Sequence, residues 1–447
     1  MEHTQAHRYG LLGEKLGHSF SPQIHAKLGN SDYGLFAVPK EALDAFMTRR
    51  EFSGINVTIP YKKAVIPYLS EISERARKIG SVNTIVKRGD GSLSGDNTDY
   101  AGLLYAAGKA GISFSGKKVL ILGSGGTSLT AQAAAQDHGA REVVVVSRNG
   151  NVTYNDLSQH ADAEIIVNTT PVGMYPNNGE QLISLSAFPH CCGVIDVIYN
   201  PFCTALLQEA EARGIPHTNG LPMLVAQAKY ASDLFFAGQQ PKVSQGSTLT
   251  GAADGAFGAA ALFTPEAEID RITAELYGEL SNVVLIGMPS SGKSCIGRLL
   301  SERLGKSFID LDQMIEARFQ KRIPEIFAAE GEAGFREKEA LCAKEAGKER
   351  GAVIAAGGGT VLREENVRAL RQNGSMVFIE RELSALSTEG RPLSKDAETL
   401  RRMYEVRLPI YQRCADISLR NDGTPEECAE EIVRLLRKAG GKACVSR

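Results

Sequence analysis

The segment Gly287–Ser294, GMPSSGKS, combines glycines, a lysine and a final serine at a spacing that suits phosphate chemistry. It follows an apolar run, Val283–Ile286, and precedes a helical pattern, which is the strand–loop–helix context that the motif requires. Backbone N–H groups of such a loop surround the phosphates, Lys293 would reach the β and γ oxygens, and Ser294 would ligate Mg²⁺. The pattern predicts a nucleoside triphosphate site. Its contact residues are expected to be Pro289, Ser290, Ser291, Gly292, Lys293, Ser294 and Cys295.

A second glycine-rich segment lies between two apolar runs of the first half. Lys117–Leu122 and Glu142–Ser147 are predicted to be parallel strands, with an alanine-rich helix between them. In a dinucleotide-binding unit of this kind, Gly123 permits the turn and Gly125 permits close approach of a pyrophosphate. The second strand ends in Ser147-Arg148 rather than in a carboxylate, and an arginine suits the 2′-phosphate of NADP. The sequence therefore favours NADP(H) over NAD(H). The expected contacts are Gly123, Ser124, Gly125, Gly126, Thr127, Ser128, Ser147 and Arg148.

Four polar motifs in the first part of the chain place reactive side chains in loops and at strand ends. His18–Pro22 offers two hydroxyls that suit a small anion. Asn56–Lys62 and Ser81–Thr84 add a lysine, hydroxyls and amides, and Gly95–Asp99 ends in a carboxylate. Each motif alone is equally typical of a turn or a helix cap. The prediction of a site therefore depends on the four motifs together.

The elements that must position these residues alternate between short strands and helices, which predicts an α/β fold. Tyr33–Val38 and Gly54–Val57 are examples of the predicted strands, and Lys40–Met47 of the helices. The Gly-Asp-Gly sequence at 89–91 predicts a hairpin turn. The apolar stretch Leu221–Phe236 predicts a helix that returns to the first lobe.

These elements group into two lobes, a linker and a separate domain. Residues 1–100, completed by 221–238, are expected to form the first lobe, and 101–220 a Rossmann-like nucleotide domain. Residues 239–263 are rich in Gly, Ala, Ser and Thr, which predicts a flexible linker, too flexible to fix the two sites face to face; whether the two halves dock stays open. Residues 264–447 are expected to form a P-loop α/β/α domain with a parallel sheet.

Bulk composition narrows the class of protein. The chain has 447 residues with 43% hydrophobic and 23% charged residues, as in globular proteins. Its formal net charge of −2 argues against nucleic acid as a partner. The eight cysteines lack paired metal spacing, the N-terminus lacks an apolar signal core, and no run approaches membrane-spanning length. We expect a cytoplasmic monomer or homodimer that acts on small molecules and has no membrane partner.

The four motifs of the first lobe, with three later ones, resemble the shikimate dehydrogenase family over residues 8 to about 238. The later motifs are Asn168–Met174, Asp196–Pro201 and Asn219–Ala228. The resemblance implies NADPH-dependent reduction of the ketone of 3-dehydroshikimate, with Lys62 and Asp99 as the catalytic pair. Hydride transfer to a carbonyl leaves an alkoxide that must be protonated, and a lysine ammonium can do this. The other implied contacts are Ser19 and Ser21 to the ring carboxylate, Thr58, Asn83, Tyr199 and Gln227 to the substrate, and Gly220 to the cofactor.

This chain departs from that family in two places. Tyr100 follows Asp99 where the family usually has glycine, and this larger side chain would narrow the cleft. After Arg148 the family often supplies a threonine and a second basic residue, whereas this chain has Asn149–Val152. A lone arginine weakens the 2′-phosphate site, so partial use of NADH stays open.

The second half adds charged residues that suit phosphoryl transfer. Asp310 and Asp312 end a predicted strand with period two, so both side chains are expected to point toward the phosphate loop. One carboxylate could serve the metal ion and the other the attacking hydroxyl. The remaining polar groups are Arg336, the glycine run Gly357–Gly359, Arg391 and Arg407.

This set resembles the shikimate kinase family over residues 282 to about 440. The resemblance implies that Ser294 and Asp310 hold Mg²⁺ and that Asp312 contacts the 3-hydroxyl. The resemblance also implies that Lys293 binds the ATP phosphates. It implies that Arg391 lies in a closing lid and stabilises the charge on the transferring phosphoryl group. The implied contacts to shikimate are Arg336, Gly358, Gly359 and Arg407. The approach to the lid is short and lacks a basic residue that the family often uses near the adenine.

The two resemblances predict consecutive reactions, because the product of the first is the substrate of the second. We expect reduction of 3-dehydroshikimate to shikimate with NADPH, then phosphorylation to shikimate 3-phosphate with ATP and Mg²⁺. One alternative is a quinate-preferring dehydrogenase joined to a kinase for another polyol. Another is a sensor that binds these ligands without chemistry, although Lys62, Asp99, Asp310 and Asp312 are all retained.

Overall fold

The structure, a computed structural model, describes residues 8–17, 19–237, 266–385 and 397–438. Within these ranges the strands form three sheets with helices packed against them, and the fold class is α/β as the sequence predicts. None of the helices in these ranges is long and apolar enough to cross a membrane. The predicted linker 239–263 and Arg391 lie outside the described residues.

The first sheet builds the first lobe. Its elements are β1 (Tyr9–Gly13), α1 (Ser21–Lys27), β2 (Tyr33–Ala37), α2 (Leu43–Arg49), β3 (Gly54–Val57), β4 (Glu71–Ile72), α3 (Glu74–Ile79), β5 (Thr84–Lys87) and β6 (Leu93–Asp96). The strand order is β2-β1-β3-β5-β6-β4. β5 and β6 pair antiparallel, which confirms the predicted hairpin, whereas β1 runs parallel to both β2 and β3. The carboxyl ends of β1 and β3 therefore lie side by side.

The second sheet is parallel throughout its described strands. Its elements are α4 (Asp99–Lys109), β7 (Lys118–Leu122), α5 (Gly126–Asp137), β8 (Glu142–Val146), β9 (Ile165–Asn168), β10 (Gly193–Asp196), α6 (Ala205–Ala212), β11 (His217–Thr218) and α7 (Gly220–Phe236). The order is β11-β10-β9-β7-β8. The chain leaves β7 toward β8 and later returns as β9 on the other side. This reversal creates a crevice at the carboxyl ends of β7 and β9, where nucleotides bind in such sheets.

The third sheet is also parallel, with the order β13-β14-β12-β15-β16. Its strands are β12 (Asn282–Ile286), β13 (Ser307–Asp310), β14 (Ala352–Ala355), β15 (Gly374–Glu380) and β16 (Ile417–Arg420). The helices of this half are α8 (Glu266–Leu280), α9 (Lys293–Leu304), α10 (Leu311–Phe319), α11 (Ile323–Ala346), α12 (Glu364–Arg371), α13 (Ala397–Cys414) and α14 (Pro425–Lys438). The central strand β12 is buried along its length and leads into the phosphate loop.

Helix α8 packs against the first half of the chain. Ile269, Ile272 and Leu276 form a fully buried stripe that contacts apolar side chains of α1, α4 and α7. The hydroxyl of Tyr277 donates to Asn219 Oδ1 over 2.7 Å, just before α7 begins. The composition shift before this helix predicted that it belongs to the P-loop domain. The buried stripe instead makes α8 part of the core beneath α7.

Helix α8 also makes polar contacts with the first half of the chain. Lys27 of α1 pairs with Glu275 over 3.0 Å and with Glu279 over 2.6 Å. The hydroxyl of Tyr105 on α4 donates to Asp270 over 2.5 Å. A composition shift before a helix carries no information on which neighbouring surface the helix will cover.

Candidate active sites

A lysine–carboxylate pair lies where the first two sheets meet. Lys62 Nζ is 2.5 Å from Asp99 Oδ2, and both side chains are largely buried. Lys62 follows β3 in the loop that begins at Thr58, while Asp99 is the first residue of α4. A lysine held in this way can deliver a proton to an oxygen atom placed beside it.

Hydrogen-bonding groups of three elements surround this pair. Asn83 Oδ1 accepts from the Thr98 backbone N–H over 2.7 Å, next to Asp99. Its Nδ2 group donates to Thr98 Oγ1 and, over 3.4 Å, to Gln227 Oε1 of α7. Because α4 and α7 pack closely at Gly102, where a Cβ atom would lie 2.6 Å from a backbone oxygen, Gln227 is brought to the same side. The predicted residues Asn83, Gln227 and Asp99 therefore share one site.

The two serine hydroxyls lie at the start of α1. Ser19 Oγ is 3.1 Å from Ser21 Oγ, and the Ser21 N–H donates to Ser19 Oγ. The aromatic ring of Phe20 between them contacts the ring of Tyr199, with centroids 5.3 Å apart. Thr58 Cγ2 would be 2.7 Å from a Cβ atom at Gly13, so Thr58 lies at the adjacent ends of β1 and β3. Tyr199 thus contacts the residue that lies between the two serines in the chain.

The glycine-rich turn after β7 approaches the lysine. A Cβ atom placed on Gly126 would lie 3.8 Å from Lys62 Cδ and 3.8 Å from Ser81 Oγ. The hydroxyl of Ser81 is buried and has no hydrogen-bond partner among the described residues. The first turn of α5 and the lysine–carboxylate pair therefore face the same space.

The crevice between β7 and β9 suits a dinucleotide. Gly123 has φ of +105°, and a Cβ atom there would lie 2.9 Å from Thr169 Oγ1 and Thr170 Cγ2. Gly125 precedes α5, whose first N–H groups can receive a pyrophosphate. Ser124 lies in this turn, and Thr127 is the second residue of α5. The turn has little side-chain bulk, so its backbone can approach the pyrophosphate of the dinucleotide that the sequence predicts.

Ser128 and Arg148, two members of the predicted dinucleotide set, have different surroundings. The Ser128 side chain is fully buried and accepts a hydrogen bond from Gln132 over 3.1 Å, so it belongs to helix packing. Arg148 is exposed just beyond β8, next to Ser147, where such folds hold the adenosine ribose. Gly220 begins α7 and leaves no room for a side chain, because a Cβ atom would lie 2.0 Å from Val197 O.

Two buried titratable residues in this half were given no role by the sequence. Asp196, at the end of β10, accepts hydrogen bonds from Asn168 Nδ2, the Ile198 N–H and Thr204 Oγ1. Burial raises the pKa of Asp196 to about 6. This carboxylate joins the loops after β9 and β10. A carboxylate at the end of an otherwise apolar strand is the sequence feature that could have indicated its structural role.

His25 is a second buried titratable residue of this half. Its ring stacks on Tyr33 with centroids 3.8 Å apart, and Nε2 lies 3.2 Å from Asn56 Oδ1. Burial lowers the pKa of His25 to about 3, while the hydrogen bond to Asn56 opposes that shift. The imidazole is therefore neutral at physiological pH and supports the first lobe.

The second half contains a cavity of about 550 Å³ at the carboxyl ends of β12, β13 and β14. It contains every described charged residue that the sequence assigned to this half. The predicted lining residues are Pro289, Ser290, Gly292, Lys293, Ser294, Cys295, Asp310, Asp312, Arg336, Gly358, Gly359 and Arg407. Ser291 is buried beneath the loop. Arg322 and Glu339 also line the cavity, and no sequence motif indicated either residue.

The phosphate loop has the geometry that its motif predicts. Gly292 has φ of +96°, and Lys293 Nζ donates to the carbonyl oxygens of Gly287 and Met288 over 2.9 and 2.8 Å. Ser294 Oγ donates to Asp310 Oδ2 over 2.6 Å. A hydroxyl and a carboxylate are the hard oxygen ligands that Mg²⁺ uses beside phosphates. This pair therefore fits a magnesium ion.

The strand alternation predicted for the two aspartates is wrong. β13 ends at Asp310, whose side chain caps α10 by accepting from the N–H groups of Asp312 and Gln313. Asp312 lies in the first helical turn, and its Oδ1 atom would be 2.9 Å from a Cβ atom on Gly357. Both carboxylates reach the cavity, but a helix start rather than a strand pleat directs them there.

Two arginines hold the far side of the cavity. Arg336 donates from Nη1 to Glu339 over 2.7 Å and from Nη2 to Glu332 over 3.1 Å, and its guanidinium lies against Gly359. Arg407 Nη1 donates to the carbonyl oxygen of Gly358 over 3.1 Å. Two fixed guanidinium groups beside bare glycine backbone suit a carboxylate ligand.

The folds and sites define a chain that joins a Rossmann-type dehydrogenase unit to a P-loop kinase unit. Residues 289–437 match the family model of shikimate kinase, and residues 11–85 match that of the shikimate dehydrogenase substrate binding domain. The chain belongs to the shikimate dehydrogenase family and also carries a shikimate kinase domain.

Relatives support the first part of this assignment. The shikimate dehydrogenase (NADP(+)) of Clostridium perfringens is 35% identical over 248 residues, which are 51% of this chain and 91% of the relative. That of Geobacillus kaustophilus is 39% identical over 263 residues, 53% of this chain and 95% of the relative. The crystal structure of a chorismate mutase/shikimate 5-dehydrogenase fusion protein from Clostridium acetobutylicum is 34% identical, with a TM-score of 0.51. The match covers 60% of this chain and 96% of that one.

Proposed function

We propose that the chain catalyses two consecutive reactions: NADPH-dependent reduction of 3-dehydroshikimate to shikimate, and ATP-dependent phosphorylation of shikimate to shikimate 3-phosphate. The observation that carries the proposal is the presence of both sets of reactive groups. Lys62 and Asp99 lie beside a dinucleotide turn, and Asp312 lies in one cavity with Lys293 and Ser294. The substrates are small molecules, and we place both reactions in the cytoplasm.

In the first site the residues bind the substrate and supply a proton. NADPH, when bound in the crevice, supplies the hydride. Ser19 and Ser21 hold the ring carboxylate with Tyr199, and Asn83 and Gln227 hold ring hydroxyls. Lys62 delivers a proton from Nζ to the oxygen of the former ketone, and Asp99 orients that ammonium group through its 2.5 Å contact. The charged pair lies in a largely buried place, where such contacts are strong.

In the second site the residues align a hydroxyl with the terminal phosphate of ATP. Arg336 and Arg407 bind the carboxylate of shikimate, and the glycines at 358 and 359 leave the ring room against the backbone. Asp312 Oδ1 accepts the proton of the attacking hydroxyl. Lys293 and the phosphate-loop N–H groups stabilise the charge on the transferred group. Ser294 and Asp310 would hold Mg²⁺, which would supply positive charge beside the phosphates.

A coupled assay on the full chain tests this proposal. It supplies 3-dehydroshikimate, NADPH, ATP and Mg²⁺ and follows NADPH oxidation and ADP release together. We expect both signals, with ADP release dependent on NADPH. Lys62→Ala should lower reduction by roughly 10²–10⁴-fold and leave phosphorylation of added shikimate unchanged, and Asp312→Asn should do the reverse. NADPH oxidation without ADP release would reject the kinase half, and absence of both signals would reject the proposal. Parallel assays that compare the steady-state constants for quinate and shikimate test the alternative of a quinate-preferring dehydrogenase.

A further inference from the structure

The turn Gln372–Asn373 of the kinase half is buried against the dehydrogenase half. It immediately precedes β15, and both side chains are almost fully inaccessible to solvent. The carbonyl oxygen of Asn373 accepts from the Asn282 N–H over 2.7 Å, at the start of the strand that leads to the phosphate loop. The turn is therefore fixed to the centre of the kinase sheet.

This turn binds the loop after β10. The Phe202 N–H donates to Asn373 Oδ1 over 3.0 Å, and the Cys203 N–H donates to the carbonyl oxygen of Gln372 over 2.9 Å. Phe202 is buried, so its backbone N–H has no access to water as a substitute partner. The kinase half thus satisfies backbone groups that belong to the dehydrogenase half.

The same turn binds the loop after β9. Asn373 Nδ2 donates to the Tyr175 hydroxyl oxygen over 2.9 Å, and that hydroxyl donates to the carbonyl oxygen of Gly347 over 3.0 Å. Asn178 also donates to the side chain of Gln372. The Tyr175 N–H donates to Asn200 O over 3.3 Å, which joins this loop to the one after β10.

Both loops form a wall of the predicted NADPH crevice. The β9 loop begins with Thr169 and Thr170, which lie against Gly123, and the β10 loop contains Tyr199, which contacts Phe20 between the two serines. The near ends of the loops therefore face the cofactor and the substrate, and their far ends are held by Asn373.

We propose that Asn373 is a positioning residue for the dehydrogenase: through the hydrogen bonds of its side-chain amide to Phe202 and Tyr175, the kinase half holds the two loops that complete the NADPH site. This inference rests on the NADPH-binding part of the proposed dehydrogenase function. When the loops are not held, only a fraction of molecules has a complete crevice. The apparent dissociation constant for NADPH then rises in inverse proportion to that fraction.

The test measures NADPH binding to the full chain by fluorescence titration, which does not depend on turnover. Asn373→Ala leaves the Phe202 N–H unpaired, and we expect the dissociation constant for NADPH to rise about tenfold. The KM for ATP of the kinase should stay within twofold. Tyr175→Phe removes the hydrogen bond between Asn373 Nδ2 and the Tyr175 hydroxyl while leaving every residue of the kinase half unchanged. It should also raise the dissociation constant for NADPH.

Gln208→Ala is the matched control. It removes one hydrogen bond between the halves, from Gln208 Nε2 to Arg368 O over 2.9 Å, and Gln208 lies in α6, after the end of the β10 loop. NADPH binding should be unchanged in this variant. Wild-type affinity in both Asn373→Ala and Tyr175→Phe would overturn the proposal, as would an equal loss in Gln208→Ala. Wild-type protein that binds NADPH but does not reduce 3-dehydroshikimate would reject the proposed function and leave this inference standing.

Discussion

Glu339 is a carboxylate buried beneath the kinase cavity, where it accepts from Arg336 over 2.7 Å and from Thr360 Oγ1 over 2.8 Å. A hydrogen bond to a charged group is worth about 1.5–3 kcal/mol. Glu339→Gln removes the charge that orients Arg336, so we expect the KM for shikimate in the kinase reaction to rise at least tenfold. Steady-state kinetics at saturating ATP measure this change.

The control uses the other carboxylate that binds Arg336. Glu332 contacts the same guanidinium, but its side chain is about half exposed. Glu332→Gln should change the KM for shikimate by less than twofold, because solvent screens that pair. Equal effects of the two substitutions would contradict a specific role for Glu339.

His25 makes stability depend on pH in a defined window. Its pKa is about 3 in the folded protein and about 6.5 in an unfolded chain, so the unfolded state binds the extra proton between these values. The free energy of unfolding should therefore decrease as the pH falls from 6.5 toward 3. His25→Gln lacks this titration, so urea unfolding at several pH values should show a smaller decrease than in the wild type. Parallel pH curves for the two proteins would contradict the prediction.

At the scale of elements, helix α8 should contribute to the stability of the dehydrogenase half. Ile272 is fully buried in the cluster beneath α7. Replacing a buried isoleucine with alanine costs about 2–5 kcal/mol. Ile272→Ala should therefore lower the urea midpoint for loss of dehydrogenase activity. Arg271→Ala, on the exposed side of the same helix, should leave that midpoint nearly unchanged, and an equal shift in both would reject the assignment of α8 to this core.

The order and type of elements were predictable because apolar periodicity reports burial directly. The strands around the phosphate loop, the hairpin β5–β6 and the return of α7 to the first lobe follow from it. The same reasoning placed Asp312 on a strand, because a period of two does not distinguish a pleat from a helix that begins one residue earlier. It also missed Glu339, since a carboxylate in a helix gives no sign that the fold will bury it against an arginine.

At the scale of the whole molecule, the boundary between the functional halves should lie after α8. A truncated chain of residues 1–280 keeps the buried stripe of α8, whereas one of residues 1–237 leaves the apolar surface under α7 uncovered. We expect the longer fragment to be monodisperse in size-exclusion chromatography and the shorter one to aggregate. The longer fragment should still bind NADPH more weakly than the full chain, because it lacks Asn373. A stable, monodisperse 1–237 fragment would contradict this boundary.

The position of α8 also bears on how the protein is made. The ribosome synthesises the dehydrogenase half first, and chain segments fold as they emerge. The surface formed by Phe20, Tyr105 and Val225 has to wait for Ile272 and Leu276, which are translated only after residues 238–265. During this interval the nascent chain exposes an apolar face that a chaperone can bind, and translation of α8 is the event that closes it.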